Sequence, residues 1–370
     1  MAISQFPPAA AGGGGGLQAY KGLAGTNSVN IPSGFYLIQA TQVLGFPITV
    51  GTETIENDTQ ILNLETDATN LGFAKDLTFE QQSISYSGEF KDFDFGNSLF
   101  IASGNNSLIA TSPDAITWTI RTAPNAPISL QTILAAGGLF IVAGQNGYLA
   151  TSTNGTNWTE RSVPNITDFL RGTAYDGNLY VVAGDNGYIA TSPDAINWTE
   201  RTNPLTQALV NVNYNNNRFI AVGNSGDLAT SADGISWTKR TLPNPDSFSE
   251  TAFGNGVYVV VGSNGYVATS PDAITWTQRF IADWTGTIRT VTFADGIFLI
   301  GGDNGQVAVS SDGISFTRQV LAGFSNEIIG STFGNDLYVV GGQNGYIATG
   351  EPVDTPQFLV LEPTELTDLT

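Results

Sequence analysis

Between residues 90 and 349 short apolar runs alternate with polar breaks in an order that keeps returning. One copy reads RGTAY (171 to 175), LYVVAG (179 to 184), YIATS (188 to 192) and NWTERT (197 to 202), labelled here a, b, c and d. Runs of this length, rich in β-branched and aromatic residues and bounded by Gly, Asn and Asp, predict strands rather than helices. The a to b break holds Asp176-Gly177-Asn178 and the b to c break Asn186-Gly187. Asn-Gly is favoured where both central residues of a hairpin turn take positive φ, so each b–c pair is expected to be a type I′ hairpin. The pair recurs as Asn146-Gly147, Asn264-Gly265, Asn304-Gly305 and Asn344-Gly345, with Ser225-Gly226 and Asn106-Ser107 as variants. The c to d break is Ser-x-Asp-x-x-x-Trp, as in Ser112/Asp114/Trp118 and Ser192/Asp194/Trp198, with Asn154 and Phe316 as substitutions. Short polar side chains at that spacing can bond the turn backbone while the aromatic packs inward, so these residues are expected to be structural.

The aromatics that close the copies, Trp118, Trp158, Trp198, Trp237, Trp276 and Phe316, stand 40, 40, 39, 39 and 40 residues apart. A fixed period of this size signals a repeat architecture. Seven b–c hairpins are present but only six d strands follow them, because Gly350-Glu351-Pro352 interrupts the last copy. The missing strand is expected at the front, over residues 77 to 82: Leu77-Thr78-Phe79-Glu80 resembles Ile314-Ser315-Phe316-Thr317, and Phe79 precedes Trp118 by 39 residues. The expected fold class is therefore all-β, a seven-bladed β-propeller over residues 77 to 349 closed by its N-terminal strand. Closure removes the sheet edges that invite aggregation, whereas an open solenoid, the alternative, leaves Phe79 without a role.

The flanks read differently. Residues 1 to 27 form a flexible arm with Pro7-Pro8, three alanines and the run Gly12 to Gly16, too poor in apolar surface to order without a partner. Residues 28 to 76 carry strand-like runs at 34 to 40, 43 to 50, 52 to 56 and 60 to 64. They read as a small β anchoring module, or as strands that become stable only in an assembly. Residues 350 to 370 form an acidic tail with one strand-like run, Gln357 to Leu361.

Composition narrows the chemistry. The chain has no Cys and no His, which removes thiol nucleophiles, Cys/His zinc sites and imidazole bases together. No cofactor is expected. With 13 basic against 33 acidic residues and a net charge of -20, neither a nucleic-acid surface nor a polybasic membrane patch is expected. No apolar run is long enough to span a bilayer, and the N-terminus lacks the basic and apolar regions of a signal peptide.

The unit GNLYVVAGDNGYIATSPDAINWTERT resembles the sialidase-type Asp-box (BNR-like) repeats of many β-propellers, among them bacterial surface proteins, cyanobacterial photosystem assembly factors and bacteriophage virion proteins. It departs from the usual Asp box, in which a further glycine follows and the Trp lies one place later; here Trp118 is four after Asp114. The resemblance implies the fold and leaves function open. A Pro/Ala/Gly arm before a small β module is similar to the anchoring end of phage tail or head appendages. Sialidases imply an arginine triad, but the arginines outside the repeat, Arg171, Arg218, Arg289 and Arg318, show no convergent set.

Residues repeated in every blade serve the fold, so function is sought where blades differ. The b–c turns and d–a loops are expected on one face of the ring, the a–b and c–d turns on the other. Strand a should line the channel. Near its mouth the cations Lys91, Arg171 and Arg289 and the carboxylates Asp92 and Glu250 are candidate binding residues, or else simply pair with one another. Tyr148, Tyr188, Tyr266 and Tyr346 follow the b–c glycines, and Trp284 is the only Trp outside the repeat position; flat rings with a polar handle suit sugars or protein. The expected function is a non-enzymatic structural or adhesion component of a phage virion, a tail or fibre appendage working as a homo-oligomer. Other virion proteins are its expected partners through the arm and module, and a host-surface glycan through the propeller. A capsid decoration or neck-fibre protein is the alternative, and a sialidase-like glycoside hydrolase using Asp92 and Glu250 the second.

Overall fold

The computed structural model describes residues 76–353 except 244, 245, 320, 322 and 323, and three short strands nearer the N-terminus, Asn30–Ile31, Ile48–Val50 and Glu53–Ile55. The chain divides into two units, Met1–Phe73 with Asp354–Thr370, and Ala74–Val353. In the first unit the three strands form one sheet, Asn30–Ile31 parallel to Ile48–Val50 and the latter antiparallel to Glu53–Ile55. The arm, the strands expected at 34 to 40 and 60 to 64, and the run Gln357 to Leu361 lie outside the described residues.

The second unit is a seven-bladed β-propeller, each blade a four-stranded antiparallel sheet in the order a-b-c-d. The innermost a strands are Phe90–Gly96, Leu130–Ala136, Leu170–Tyr175, Leu209–Asn215, Phe248–Gly254, Ile288–Ala294 and Ile328–Gly334, for blades 1 to 7. Each touches the a strand on either side, and the seventh touches the first, so the ring is closed. Burial follows position within the blade. Strand b of blade 2, Leu139–Gly144, and strand c, Leu149–Ser152, are buried on both faces because a neighbouring blade covers each side, which is why LFIVAG reads as one apolar run. Strand d, Thr159–Arg161, is outermost and mostly exposed.

Seven hydrophobic clusters lie between neighbouring blades. In one, Ile141 and Leu149 of blade 2 meet Leu170, Tyr180, Val182 and Trp198 of blade 3. Burying a side chain such as Phe140 or Leu170 fully contributes about 1.5–3 kcal/mol. The core is thus a ring of interfaces, and no blade is complete without its neighbours.

Blade 7 closes as the period predicts. Its d strand is Asp76–Gln81, paired with strand c, Ile347–Val353, from Ala348↔Gln81 to Val353↔Asp76. Gln82 Nε2 adds a 2.8 Å bond to Thr349 Oγ1. Phe79 packs against the blade 6–7 cluster. One expectation is corrected here: Gly350-Glu351-Pro352 does not interrupt the blade but continues strand c to Val353, since strand d arrives from elsewhere and no c–d turn is needed.

The turns are as the residues dictate. In every b–c turn both central residues have positive φ, as at Asn146 (61°) and Gly147 (66°), and Tyr148 N donates to Gln145 O at 3.2 Å: a type I′ turn. In the c–d turn Ser192 Oγ donates to Asp194 Oδ1 at 2.9 Å, and that same oxygen accepts the N–H groups of Ile196 (2.9 Å) and Asn197 (2.8 Å). Trp118, Trp158 and Trp237 donate their indole N–H to a carbonyl of their own turn. The structural reading of these repeated residues therefore stands. Asn335 of the a–b turn in blade 7 bonds Pro113 O of the c–d turn in blade 1, so these two sets of turns share a face, opposite the b–c turns and d–a loops.

Candidate functional site

The channel wall is built by a bulge repeated in every blade. Each a strand loses register with b at its second residue, so Lys91, Gln131, Arg171, Val210, Ser249, Arg289 and Ile329 are the unpaired residues of seven β-bulges. A bulge re-aims its side chain and ends regular pairing. The next position holds Asp92, Thr132, Gly172, Asn211, Glu250, Thr290 and Gly330, a register that is legible in the sequence.

These residues staple one inner strand to the next. Asp92 Oδ1 accepts Phe93 N at 2.8 Å and Oδ2 accepts Ile133 N of blade 2 at 2.9 Å. Asp94, two residues on and so on the same side of the strand, repeats this with Phe95 N (2.8 Å) and Ala135 N (2.7 Å). Glu250 accepts Val291 N of blade 6 at 3.0 Å and Asn211 Nδ2 of blade 4 at 3.3 Å. Asn213 Nδ2 reaches Thr251 O at 2.7 Å, and Thr132 meets Thr173 at 3.0 Å. Protein surrounds the carboxylates, though each keeps part of its surface toward the channel. Loss of water pushes the Glu250 carboxyl up to about 7 and that of Asp94 up to about 6. Asp92 is raised well above its ordinary value by the same desolvation and then by the charge of Glu250. Asp94 and Asn213 were not among the expected residues; the period-2 spacing from Asp92 and Asn211 is the signal that points to them.

The three cations are not brought together with these carboxylates. Lys91 Nζ lies 2.5 Å from Glu89 Oε2, Arg171 Nε 2.6 Å from Asp185 Oδ1, and Arg289 Nε 2.8 Å from Asp303 Oδ1 with a second bond, at 2.9 Å, to Glu327. Each is committed to an acid outside the candidate set, so the cations neither converge with Asp92 and Glu250 nor pair with them. Half-exposed pairs of this kind are worth about 1 kcal/mol or less.

The aromatic candidates are packed into the blades, though Tyr148 also lines the cleft described below. Tyr148, Tyr188, Tyr266 and Tyr346 are only 5–7 % exposed, with rings in the blade interfaces. The first three donate their hydroxyls to the carbonyls of Pro124, Pro164 and Pro243 in the d–a loops. Nor is Trp284 outside the repeat. It stands four residues before strand a, where other loops have Tyr86, Ala126, Ile166, Leu205 and Phe324, and its ring lies against Gly265 of the b–c turn. Its apolar body packs on the blade 5–6 cluster, and its indole N–H is buried without a partner. Counting back from strand a, rather than from Trp276, would have shown this.

On the same face a cleft of about 570 Å³ opens beside the b–c turn of blade 2. It is lined by Asn125, Gln145, Asn146, Glu160, Arg161 and the apolar Pro127, Val163 and Ile166, among others. Among the described residues no group of three acidic side chains is arranged to hold a metal ion.

Residues 80–208 match the model of the DUF6242 beta propeller domain, which covers blades 1 to 3. No curated protein matches the chain. Solved structures that resemble it are YCF48 bound to D1 peptide (TM-score 0.63, 16 % identity, covering 74 % of this chain and 94 % of that one) and YCF48 from Cyanidioschyzon merolae (TM-score 0.61, 17 %, covering 75 % and 99 %). Virginiamycin B lyase from Staphylococcus aureus, in its selenomethionine-substituted form, is similar as well (TM-score 0.68, 11 %, covering 75 % and 100 %). At such identities the likeness is one of fold, and the class it defines is that of seven-bladed β-propellers.

Proposed function

We propose that this propeller is a non-enzymatic binding platform. The observation that carries the reading is the fate of its charged channel residues: Asp92, Asp94 and Glu250 spend their oxygens on backbone N–H groups of the next blade, and Lys91, Arg171 and Arg289 are held by acids. General acid–base work needs a carboxyl free to reach a substrate proton. Here the carboxylates are occupied in holding strands. A related propeller, YCF48, has been captured with the D1 peptide, and the same use of a ring as a rigid docking surface fits this chain.

The finer reading is that of a phage particle component, a tail or fibre appendage with the propeller serving attachment, or a capsid decoration or neck fibre. It is supported by the Pro/Ala/Gly arm and the separate β module of the sequence, and by the platform character of the ring. Electron microscopy of phage particles with this protein labelled tests it: density on an appendage is expected, and its absence from particles overturns the reading. Assay of the full chain against fluorogenic glycosides is expected to release nothing, and release that is lost in Glu250→Gln would overturn the non-enzymatic reading.

A further inference from the structure

We propose that the cleft beside the b–c turn of blade 2 is a binding site for neutral oligosaccharide. The proposal rests on the platform reading above and names the place and the ligand class. Two departures from the repeat create the site.

The first departure makes the space. Four residues before the a strands of blades 3, 6 and 7 a side chain, Ile166, Trp284 or Phe324, lies against a b–c turn glycine; Phe324 is also stacked on Tyr346 with centroids 3.6 Å apart and planes at 17°. Before blade 2 the residue is Ala126, beside Tyr148. Beside this small residue the cleft opens between its neighbours Asn125 and Pro127, Tyr148 and the loop residues Val163 and Ile166, and its volume falls within the size range of small-molecule clefts.

The second departure frees the polar groups. In blades 3 and 5 the turn asparagine is tied down: Asn186 Nδ2 donates to Asp168 at 2.9 Å and Asn264 Nδ2 to Asp246 at 2.7 Å, each acid lying two residues before strand a. In blade 2 that place is held by Ile128, 71 % exposed. The Asn146 amide therefore has no acid to bond, and the neighbouring Gln145 amide is likewise free, where blades 3 and 6 carry the ion-paired Asp185 and Asp303. Glu160 accepts from Asn125 at 2.9 Å through one oxygen, and Arg161, whose Nε donates to Thr151 at 2.9 Å, lines the cleft beside it.

The lining thus offers planar amides, one acid and one base in balance, with apolar patches between. Each sugar hydroxyl both donates and accepts, which matches amides that do the same. The balance of Glu160 with Arg161 favours a neutral sugar over an anionic one. Free amides that are not already paired in the protein lose less on binding than groups that must first break a bond.

The test uses the full chain on an array printed with maltotriose, lactose and chitotriose, with sialyllactose as the charged arm, followed by titration of the sugars that bind. Binding to at least one neutral sugar is expected. It should weaken roughly tenfold or more in Gln145→Ala and in Asn146→Gly, the glycine chosen because φ is 61° there. Ile128→Asp should do the same by restoring the acid that ties the asparagine down, with no loss of thermal stability. Asn264→Gly, in the tied turn of blade 5, should leave binding unchanged. Neutral-sugar binding that survives all three cleft variants, binding confined to sialyllactose, or binding of no sugar would each overturn the proposal. Sugar recovered intact keeps the platform reading. Sugar recovered cleaved, in a manner the cleft variants abolish, keeps the cleft and overturns the non-enzymatic reading.

Discussion

Asp94 in the channel and Asp233 in a c–d turn are the same side chain accepting the same number of backbone N–H groups, yet their acidities move in opposite directions. Asp233 accepts Ser236 N and Ile235 N on an exposed rim, and these bonds hold it down at about 2. Asp94 accepts Phe95 N and Ala135 N and is nonetheless pushed up to about 6, because loss of water outweighs the two bonds. Hydrogen bonds alone do not set a carboxylate's charge; what decides is how much water they replace. The rim acids serve local turns, while the channel acids join separate blades at an electrostatic cost.

The largest expected break of this contrast comes from Asp94→Ala. It leaves the N–H of Ala135 without an acceptor between two blades, and a loss of about 2 kcal/mol is expected from the urea midpoint. Asp233→Ala, which leaves turn N–H groups that water can reach, should cost about 1 kcal/mol or less. Equal losses would show that the channel bonds do not join blades.

A second way to sharpen it is pH. The channel acids have raised folded values, so their contribution is fully present below the ordinary carboxylate range and is lost as pH rises through about 6 for Asp94 and about 7 for Glu250. The rim acids Asp114, Asp194, Asp233 and Asp272 have lowered values, so theirs is present above that range and is lost as pH falls through the folded values. Stability should therefore be greatest between the two windows and lower at pH 8 than at pH 5. The net charge of -20 pulls in the same direction at high pH, and Glu250→Gln isolates the channel term: the fall from pH 5 to 8 should shrink in that variant. An unchanged fall would assign it to self-repulsion alone. Tyr148→Phe, which removes one hydroxyl bond to Pro124 O, should have an effect as small as that of Asp233→Ala, about 1 kcal/mol or less in thermal unfolding.

The ring and its closure were legible because they rest on period. Phe79 could be placed by counting, and the type I′ turns by their Asn-Gly pairs, since both signals are local and repeat. The candidate site was less so. Trp284 was singled out by residue type, and only its distance from strand a reveals that it stands where Leu205 and Phe324 stand. Lys91, Arg171 and Arg289 share one register position, but their partners were not read from it, although Asp185 and Asp303 each follow their arginine by 14 residues and Glu89 and Glu327 each stand one place before a strand a. The cleft at blade 2 is harder still to read, since it arises from what Ala126 and Ile128 fail to supply.

The closing pair of blade 7 has a mechanical meaning. Because Val353 pairs with Asp76, the chain enters and leaves this sheet at the same end. Tension applied between those two points would peel the strands apart one hydrogen bond at a time, the weakest way to load a sheet, instead of shearing all the bonds at once. A pull through one end only leaves the pair unloaded. The ring is thus suited to being held from a single side, and a force transmitted across both ends would open it at the seam.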